Sequence, residues 1–262
     1  MGRWALRIAT AAGFAFLYIP IAVIVLYAFN AQRVQAWPIQ QYTTQWFGLA
    51  FQNDSVREAL LLSLQVGAGA TVLALVLGSL AAFAIHRFRF FGRDALSFAL
   101  VLPIALPGIV TGMALNSTIN VLGIGFTTLT IVVGHATFCI VVVYNNVIAR
   151  LRRSSRSIEE ASMDLGADSW QTFRHITFPV IRTALVAGGL LAFALSFDEI
   201  IVTTFTAGTQ ETLPIWILGH FARPNQRPLV NVVAVVLILL SAAPVYLASR
   251  LSGSTGVGGS RT

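Results

Sequence analysis

The chain has 262 residues, of which 56% are hydrophobic and 10% are charged. Since soluble domains carry roughly 25% charged residues, this composition excludes a single solvated core and indicates an integral membrane protein. The formal net charge of +7 does not favour nucleic-acid binding, because the basic residues, all of them arginines, follow the two sides of a membrane rather than one binding face. The single cysteine, Cys139, lies in an apolar run, which excludes a disulfide framework and a zinc-ligand spacing.

Six apolar stretches are predicted to cross the membrane, since roughly 20 apolar residues span its hydrocarbon core. Polar connections separate them, including residues 116–129, which we interpret as an uncharged turn, and residues 206–228, which we interpret as a loop. The Gly- and Ser-rich residues 252–262 predict a flexible tail after a single transmembrane domain of residues 1–251. The predicted spans are, in order, residues 8–29, 60–85, 96–115, 130–148, 180–204 and 229–249.

The third span contains helix-breaking residues in its middle. Pro103 and Pro107 lie seven and eleven residues after the start of its apolar run, and Gly108 follows Pro107 directly. We therefore expect this span to be broken or kinked. A break inside a membrane persists where the freed backbone groups face protein or a water-filled cavity, so Pro103 and Pro107 are candidate residues of a substrate pathway. A kink that serves helix packing alone is the alternative.

A polar segment, residues 157–179, separates the fourth and fifth spans. Ser157 is followed three residues later by Glu160, a spacing typical of a capping box, so a short helix is predicted to begin at about Ile158. Gly166 is the residue best able to adopt the left-handed conformation that ends a helix. The first helix of the segment is therefore predicted to stop at Gly166.

A second helix is predicted in the rest of the 157–179 segment. Asp168 or Ser169 can cap its start, and Pro179, which has no backbone N–H to donate, is predicted to end it. Its apolar residues recur every third position, which keeps them on one face. Because so small an element cannot stand alone in water, part of that face is expected to lie on a partner or on the membrane surface. The apolar residues are Trp170, Phe173 and Ile176.

The arginines predict which way the chain lies in the membrane. Six spans put both termini on one side, and that side holds thirteen arginines, five of them between the fourth and fifth spans and a sixth, Arg182, at the start of the fifth. The opposite side holds four, at Arg33, Arg57, Arg223 and Arg227. Because loops rich in arginine stay in the cytoplasm, the termini, the tail and the 157–179 segment are predicted to be cytoplasmic.

The 157–179 segment resembles a motif of a known family. The sequence EEASMDLGA followed by FRHITFP is similar to the cytoplasmic EAA loop of permease subunits in ATP-binding-cassette importers, which reads Glu-Ala-Ala, three residues, Gly, nine residues, Ile-x-Leu-Pro. The spacing matches throughout. Ser162 replaces the second alanine, Phe178 replaces the leucine, and Thr183 stands where many members have another proline. The six-span layout also resembles this family.

The resemblance implies a fold and a set of partners. The fold would be all-α with six transmembrane helices, as in type I importer permeases, in the bacterial inner membrane, with a coupling helix that docks on an ATPase subunit. The implied partners are a second related permease, two ATPase subunits that bind ATP and Mg²⁺, an extracytoplasmic binding protein, and lipid; no cofactor or metal is implied for this chain. The implied coupling residues are Glu159, Glu160, Ala161, Asp164, Gly166, Ala167, Phe173, Ile176 and Pro179.

Two other functional classes are weighed against the importer. A nucleotide-binding Walker A loop needs a lysine, and the chain has none, so ATP hydrolysis is expected on another polypeptide. A secondary transporter would need an ion site and usually an internal repeat, which the sequence does not show. An intramembrane hydrolase would need a base such as His135 beside Ser117 or Ser196, but a polar residue bonded within the helix bundle explains His135 better.

The fifth span carries a second resemblance, to permeases of the spermidine and putrescine type. The sequence SFDEIIVTTFTAG at residues 196–208 and TLPIWI at residues 212–217 are similar to that group, which usually has two adjacent acids here. Asp198 and Glu199 are predicted to lie inside the fifth span, in the outer half of the bilayer. Two interpretations stay open: an ammonium-binding acid pair, or an ion pair or contact with the second permease. Selectivity would rest largely with the binding protein, so the substrate is not fixed by this chain.

Overall fold

The computed structural model describes residues 2–253, and this part of the chain is mainly α-helical. No strand occurs among these residues, and one isolated bridge pairs Asn30 with Tyr42. Five helices of the described range are long and apolar enough to cross a membrane, and a bent pair of helices can form a sixth span. The predicted all-α fold with six spans is therefore confirmed. The elements in chain order are α1 Arg3–Ala28, α2 Gln45–Gln52, α3 Asp54–Arg87, α4 Arg93–Ala105, α5 Gly108–Leu122, α6 Thr128–Arg153, α7 Arg156–Asp164, α8 Ser169–Thr172, a π-helical turn Phe173–Thr177, α9 Phe178–Phe197, α10 Ile201–Thr206, α11 Leu213–Phe221, a 3₁₀ turn Pro224–Gln226 and α12 Arg227–Gly253.

The chain divides into two compact units. The first contains residues 1–60 and 213–239. Its buried anchors are two tryptophans whose indole N–H groups are satisfied: Trp46 Nε1 donates to the carbonyl of Asn30 at 2.9 Å, and Trp216 Nε1 donates to Ser55 Oγ at 2.9 Å. The second bond joins α11 to the start of α3. The polar connection predicted at residues 206–228 therefore contains a helix, α11, in which the large ring of Trp216 is buried.

The second unit, residues 61–212 and 240–262, is built around α6. This helix is buried along most of its length, unlike a helix that faces lipid on one side. It packs against α9 and α3, whose small residues Ala74, Ala82 and Ala192 are completely buried at the contacts. A hydrogen bond of 2.7 Å between the hydroxyl groups of Tyr144 and Ser97 also connects it to α4. α6 is the centre of the unit that holds the candidate site.

The third span is broken, as its prolines predict. α4 and α5 are separated by Leu106 and Pro107, which we name the span-three break, and their axes differ by 103°. The predicted uncharged turn at 116–129 is wrong in its first half, because α5 continues to Leu122 and ends at Gly123 with φ of 63°. Thr118 and Asn120 carry no charge and donate to carbonyls of the helix itself, so polar composition alone did not mark a turn there.

The fifth span is also interrupted, although no proline or glycine at this point predicted a break. α9 ends at Phe197, and α10 begins at Ile201. We name residues 198–200 the span-five break. Asp198 and Glu199 therefore do not lie inside a continuous span to residue 204, as predicted, but in the gap between two helices.

Several helices extend beyond their predicted ends. α3 begins at Asp54, before the predicted start at residue 60, because the acidic Asp54 favours the positive end of a helix. α12 continues to Gly253, past the predicted start of the tail at residue 252. The remainder of the predicted tail, residues 254–262, lies outside the described residues.

Candidate functional site

The first helix of the 157–179 segment begins earlier than predicted. α7 starts at Arg156 with Ser155 at its N-cap, so the prediction of Ser157 as the capping residue is wrong. The two hydroxyl groups of Ser155 and Ser157 bond to one another at 2.6 Å, and the Ser155 side chain makes no capping bond to the helix. Ser157 is thus the second residue of the helix instead of its cap.

The corner between the two short helices has the predicted geometry. Gly166 has φ of 89°, in the left-handed region. The N–H of Gly166 donates to the carbonyl of Met163 at 2.9 Å, and the N–H of Ala167 donates to that of Ser162 at 3.1 Å, which satisfies the last carbonyls of α7. Asp168 then caps α8, since its carboxylate accepts from Gln171 N at 2.7 Å. Both predictions, the left-handed glycine and the capping aspartate, are confirmed.

The second helix does not end at Pro179. α8, the π-helical turn and α9 follow one another without a gap, so the helix runs from Ser169 into the fifth span. In the π turn the N–H of Phe178 donates to the carbonyl of Phe173, five residues earlier. The extra residue shifts the hydrogen-bond register just before Pro179, which has no N–H to donate. The predicted stop at Pro179 is therefore wrong, and the segment is joined rigidly to the membrane helix.

Side-chain bonds hold the two halves of the segment together. The buried Thr177 hydroxyl donates to Glu159 Oε1 at 2.7 Å, and Ser162 bonds to the buried Thr172 at 3.2 Å. Phe173 stacks with Trp170 at 5.7 Å between ring centroids and contacts Phe83 of α3 edge-on at 5.8 Å. These contacts fix the shape of the segment in the isolated chain.

The segment also presents an exposed apolar face. Leu165 is 90% exposed and Trp170 is 65% exposed, and Ile158 and Met163 add to the apolar area on α7. Of the predicted coupling residues, Glu159, Ala167, Phe173 and Ile176 are half-buried, and the others are exposed. An exposed apolar surface bordered by charged residues is typical of a protein interface.

The span-five break holds two acids without a basic partner in the described part of the chain. Asp198 is exposed, and Glu199 is half-buried with Oε1 accepting from the N–H of Val202 at 2.9 Å. Glu199 thus caps α10, where a carboxylate is favoured by the helix dipole. Neither acid forms a salt bridge among the described residues, where the ion pair is Arg57 with Asp54.

The two breaks lie side by side. Gly108, the first residue of α5, contacts Ile201, the first residue of α10, and a Cβ on Gly108 would lie 3.6 Å from Ile201 Cγ2. One turn later, a Cβ on Gly112 would lie only 2.5 Å from the Phe205 ring, so the absence of a side chain lets the helices approach. α5 and α10 therefore run in the same direction from adjacent starts. Pro107 is brought to the acids by this packing, whereas Pro103 lies inside α4.

His135 of α6 connects to the fifth span on both sides of its break. Its Nδ1 lies 2.7 Å from Ser196 Oγ, and its Nε2 lies 2.8 Å from Thr203 Oγ1. The predicted partner Ser196 is confirmed, and Ser117, which is exposed on α5, is not a partner. His135 and Ser196 are 1% and 3% exposed, so no substrate can reach them for a hydrolytic reaction. Two further residues were not predicted from any sequence pattern. They are Thr203 and Asn116, whose side-chain amide donates to the carbonyl of Phe205 at 2.7 Å.

The match to a family model decides the class of the chain. The family of binding-protein-dependent transport system inner membrane components matches residues 74–253. This chain belongs to that family. It is therefore a permease component of an inner membrane transport system, and its helical membrane fold is that of the family. Within the described residues, no cluster of side chains suitable for a metal ion occurs.

Individual relatives cover most of the chain. The putrescine transport system permease protein PotI of Escherichia coli (strain K12) is 37% identical over 86% of this permease and 83% of its own length. The spermidine/putrescine transport system permease protein PotC of the same organism is 34% identical over 93% and 94%. A crystal structure of a bacterial ABC transporter involved in the import of alginate has a similar fold, with a TM-score of 0.68 over 97% of this chain and 95% of that one, at 14% identity.

Proposed function

We propose that this permease forms part of the translocation pathway for a polyamine such as putrescine or spermidine. The observation that carries the proposal is the likeness to PotI and PotC, at 37% and 34% identity over most of the chain. The acids of the span-five break support it, because a polyamine presents ammonium groups at neutral pH. A different small solute within the same class of importer is the alternative.

The break offers acids in an arrangement suited to a cation. Asp198 is exposed, and Glu199 keeps one carboxylate oxygen beyond the one that caps α10. A charge in the membrane is costly unless a partner neutralises it. A passing ammonium group would neutralise Asp198, and the break in the helix would let it approach backbone carbonyls as well.

The arrangement of the chain in the membrane follows from the arginine distribution. We assign the termini and the 157–179 segment to the cytoplasm. α9 has 20 residues, or about 30 Å at the helical rise, so the span-five break would lie toward the outer side of the bilayer. A substrate delivered from outside would then meet Asp198 early on its path.

The partners proposed for this permease are those of an ATP-driven importer. A second permease would complete the pathway, two ATPase subunits would bind ATP and Mg²⁺, and a binding protein outside would deliver the polyamine. A related solved importer is described in complex with a periplasmic protein that carries its ligand. The 157–179 segment would dock on the ATPase through its exposed apolar face, with Leu165 and Trp170 as the most exposed side chains.

Transport would then be a change between two states. Closure of the ATPase would move the 157–179 segment, and α9 would carry that movement because the π-helical turn joins the two without a loop. The two breaks supply the points at which the membrane helices can bend, so the cavity can open to either side. Neither step needs covalent chemistry in this chain.

Replacement of Asp198 by asparagine tests the substrate site. Asparagine keeps the size and hydrogen-bonding capacity of aspartate but loses its charge. Since hydrogen bonds to charged groups contribute about 1.5 to 3 kcal/mol, uptake of labelled putrescine or spermidine should fall about tenfold or more. The assay uses vesicles containing the whole importer, with membrane abundance measured alongside. Glu211→Gln, a change of an exposed acid beyond α10, is the matched control and should transport normally.

The outcomes separate the two interpretations of the acids. Normal abundance with reduced polyamine uptake supports an ammonium site. If Asp198 instead neutralises an arginine of the second permease, asparagine would leave that charge unpaired at a cost of about 3 to 5 kcal/mol, and the complex should fail to accumulate. Normal abundance and normal uptake would contradict both, and a wild-type importer that takes up no polyamine would contradict the substrate class.

A second experiment tests docking on the ATPase. Glu160 lies on the exposed side of α7, and Glu160→Lys reverses its charge near the positive end of that helix. We expect less ATPase to copurify with the variant and uptake to fall, with membrane abundance unchanged. Glu211→Lys is the control for charge reversal elsewhere. Full copurification and full uptake by the Glu160 variant would contradict the coupling role.

A further inference from the structure

His135 forms a bridge across the span-five break. It lies about two turns into α6, and its two ring nitrogens bond to Ser196, at the end of α9, and to Thr203, in α10, at 2.7 Å and 2.8 Å. All three side chains are at least 97% buried. We name His135, Ser196 and Thr203 the histidine bridge. No other side chain of α6 in the described range bonds to side chains on both sides of the break.

The surrounding hydrogen bonds assign one tautomer to the ring. The Thr203 hydroxyl donates to the carbonyl of Glu199 at 2.8 Å, so it must accept from His135 Nε2. Nδ1 is then the acceptor of a hydrogen bond that the Ser196 hydroxyl donates. The network thus runs from Ser196 through the ring and Thr203 to the backbone of Glu199, one of the two acids of the break.

The far end of α10 is held by separate contacts. Thr130 Oγ1 donates to the carbonyl of Thr206 at 2.8 Å, and Asn116 Nδ2 donates to that of Phe205 at 2.7 Å. These bonds satisfy the C-terminal carbonyls of a helix only six residues long. The start of α10, which directly follows the acids, depends instead on the histidine bridge and on the Glu199 cap.

We propose that His135 is a positioning residue that sets the geometry of Asp198 and Glu199 toward the transported cation. This inference rests on the proposed function, because it assigns His135 a role through the acids and not through contact with substrate. Imidazole suits the role since its two nitrogens point in divergent directions from one rigid ring, so that a single side chain can hold two helices at a fixed distance. A charge and its ligand interact strongly only over short distances, so a shift of the break by about an ångström would weaken ammonium binding.

The test is a double-mutant cycle on uptake. His135→Gln keeps a donor and an acceptor but replaces the rigid ring with a flexible amide. Alone, it should lower polyamine uptake per complex about fivefold; in the Asp198→Asn background it should have almost no further effect, because the charge that it positions is already gone. The measurement is initial uptake by vesicles of the complete importer, normalised to its abundance. The control is Cys139→Ala, one turn along α6 and fully buried.

A residue that only supports folding gives a different result. Its effect would be the same in both backgrounds, and the two losses would multiply to about fiftyfold. Cys139→Ala should show that independent behaviour if it has any effect. His135→Phe, which fills the site but removes both bonds, should lower uptake per complex more than glutamine does.

Each outcome bears on a distinct claim. Multiplied losses, unchanged uptake in His135→Gln, or failure of that variant to accumulate would each overturn the positioning role while leaving the polyamine assignment intact. Normal uptake by the single Asp198→Asn variant would contradict the ammonium site itself, and with it the role of His135. Loss of coupling between His135 and Asp198 is thus distinguishable from failure of the proposed function.

Discussion

The 157–179 segment and the paired breaks are both interruptions of the membrane helices, but different forces hold them. The segment depends on local devices, namely the left-handed Gly166, the Asp168 cap and bonds between residues at most 18 positions apart. The breaks depend on contacts between residues far apart in the chain, such as Asn116 with Phe205 and His135 with Ser196. A local device leaves a mark in the sequence, whereas a distant contact leaves none until the chain folds.

This difference predicts how each region should respond to mutation. Changes at the contacts that pack α5 against α10 should lower the stability of the whole unit, because these contacts hold two of its helices together. Changes in the 157–179 segment should spare membrane abundance and affect transport, because the segment is largely exposed. Four substitutions, from the largest expected effect to the smallest, test this contrast.

Gly112→Leu should have the largest effect. The Cβ alone would lie 2.5 Å from the ring of Phe205, and the longer side chain would force α5 and α10 apart at a cost of about 3 kcal/mol or more. Membrane abundance should fall sharply. Phe205→Ala combined with Gly112→Leu should restore part of it by providing space; absence of any rescue would show that the close approach is not the cause.

Gly166→Val tests the local corner. No atom lies within 4 Å of a Cβ added to Gly166, so the effect comes from the backbone, whose left-handed conformation costs a β-branched residue about 2 kcal/mol. We expect normal abundance and strongly reduced uptake. Gly166→Asn, which tolerates this conformation, should retain more activity. Equal, full uptake by the valine and asparagine variants would contradict a required corner.

Asn116→Leu removes the side-chain bond to the Phe205 carbonyl with little change in volume. A buried carbonyl left without its donor costs about 1 to 3 kcal/mol. The detergent-solubilised importer should therefore unfold at a lower temperature, measured by thermal aggregation. Ser117→Ala changes an exposed neighbour and should leave the midpoint of thermal unfolding unchanged. Equal midpoints for the two variants would show that the Asn116 bond does not stabilise the protein.

Thr177→Val should have the smallest effect. It preserves the shape of threonine and deletes the bond of 2.7 Å to Glu159, worth about 1 kcal/mol. We expect a severalfold loss of uptake per complex at unchanged abundance, since α7 would be less firmly tied to α9. Thr177→Ser, which keeps the hydroxyl, should transport normally. If Thr177→Val lowered membrane abundance and not uptake per complex, the 157–179 segment would respond to mutation as the contacts between α5 and α10 do, and the contrast would be wrong.

The sequence by itself predicted the features that arise within short stretches. Apolar length predicted the membrane spans, Pro107 predicted the break in the third span, and Gly166 and Asp168 predicted the corner and its cap. Each depends on the conformational limits of one residue or on bonds to near neighbours, and those limits hold in any fold. The EAA-like spacing also indicated the family, whose model matches residues 74–253.

The tertiary structure decided the features for which local rules gave the wrong answer or none. Pro179 was expected to end a helix, but the π-helical turn before it accommodates the missing donor. Ser157 was expected to cap α7, yet the helix begins before it at Arg156. The break at residues 198–200 has no proline or glycine. His135 of α6 bonds to the helices on both sides of it, and Asn116 and Thr130 satisfy carbonyls at the other end of α10. Such groups can leave the regular helix only when distant partners replace its hydrogen bonds, and those partners are known only once the chain has folded.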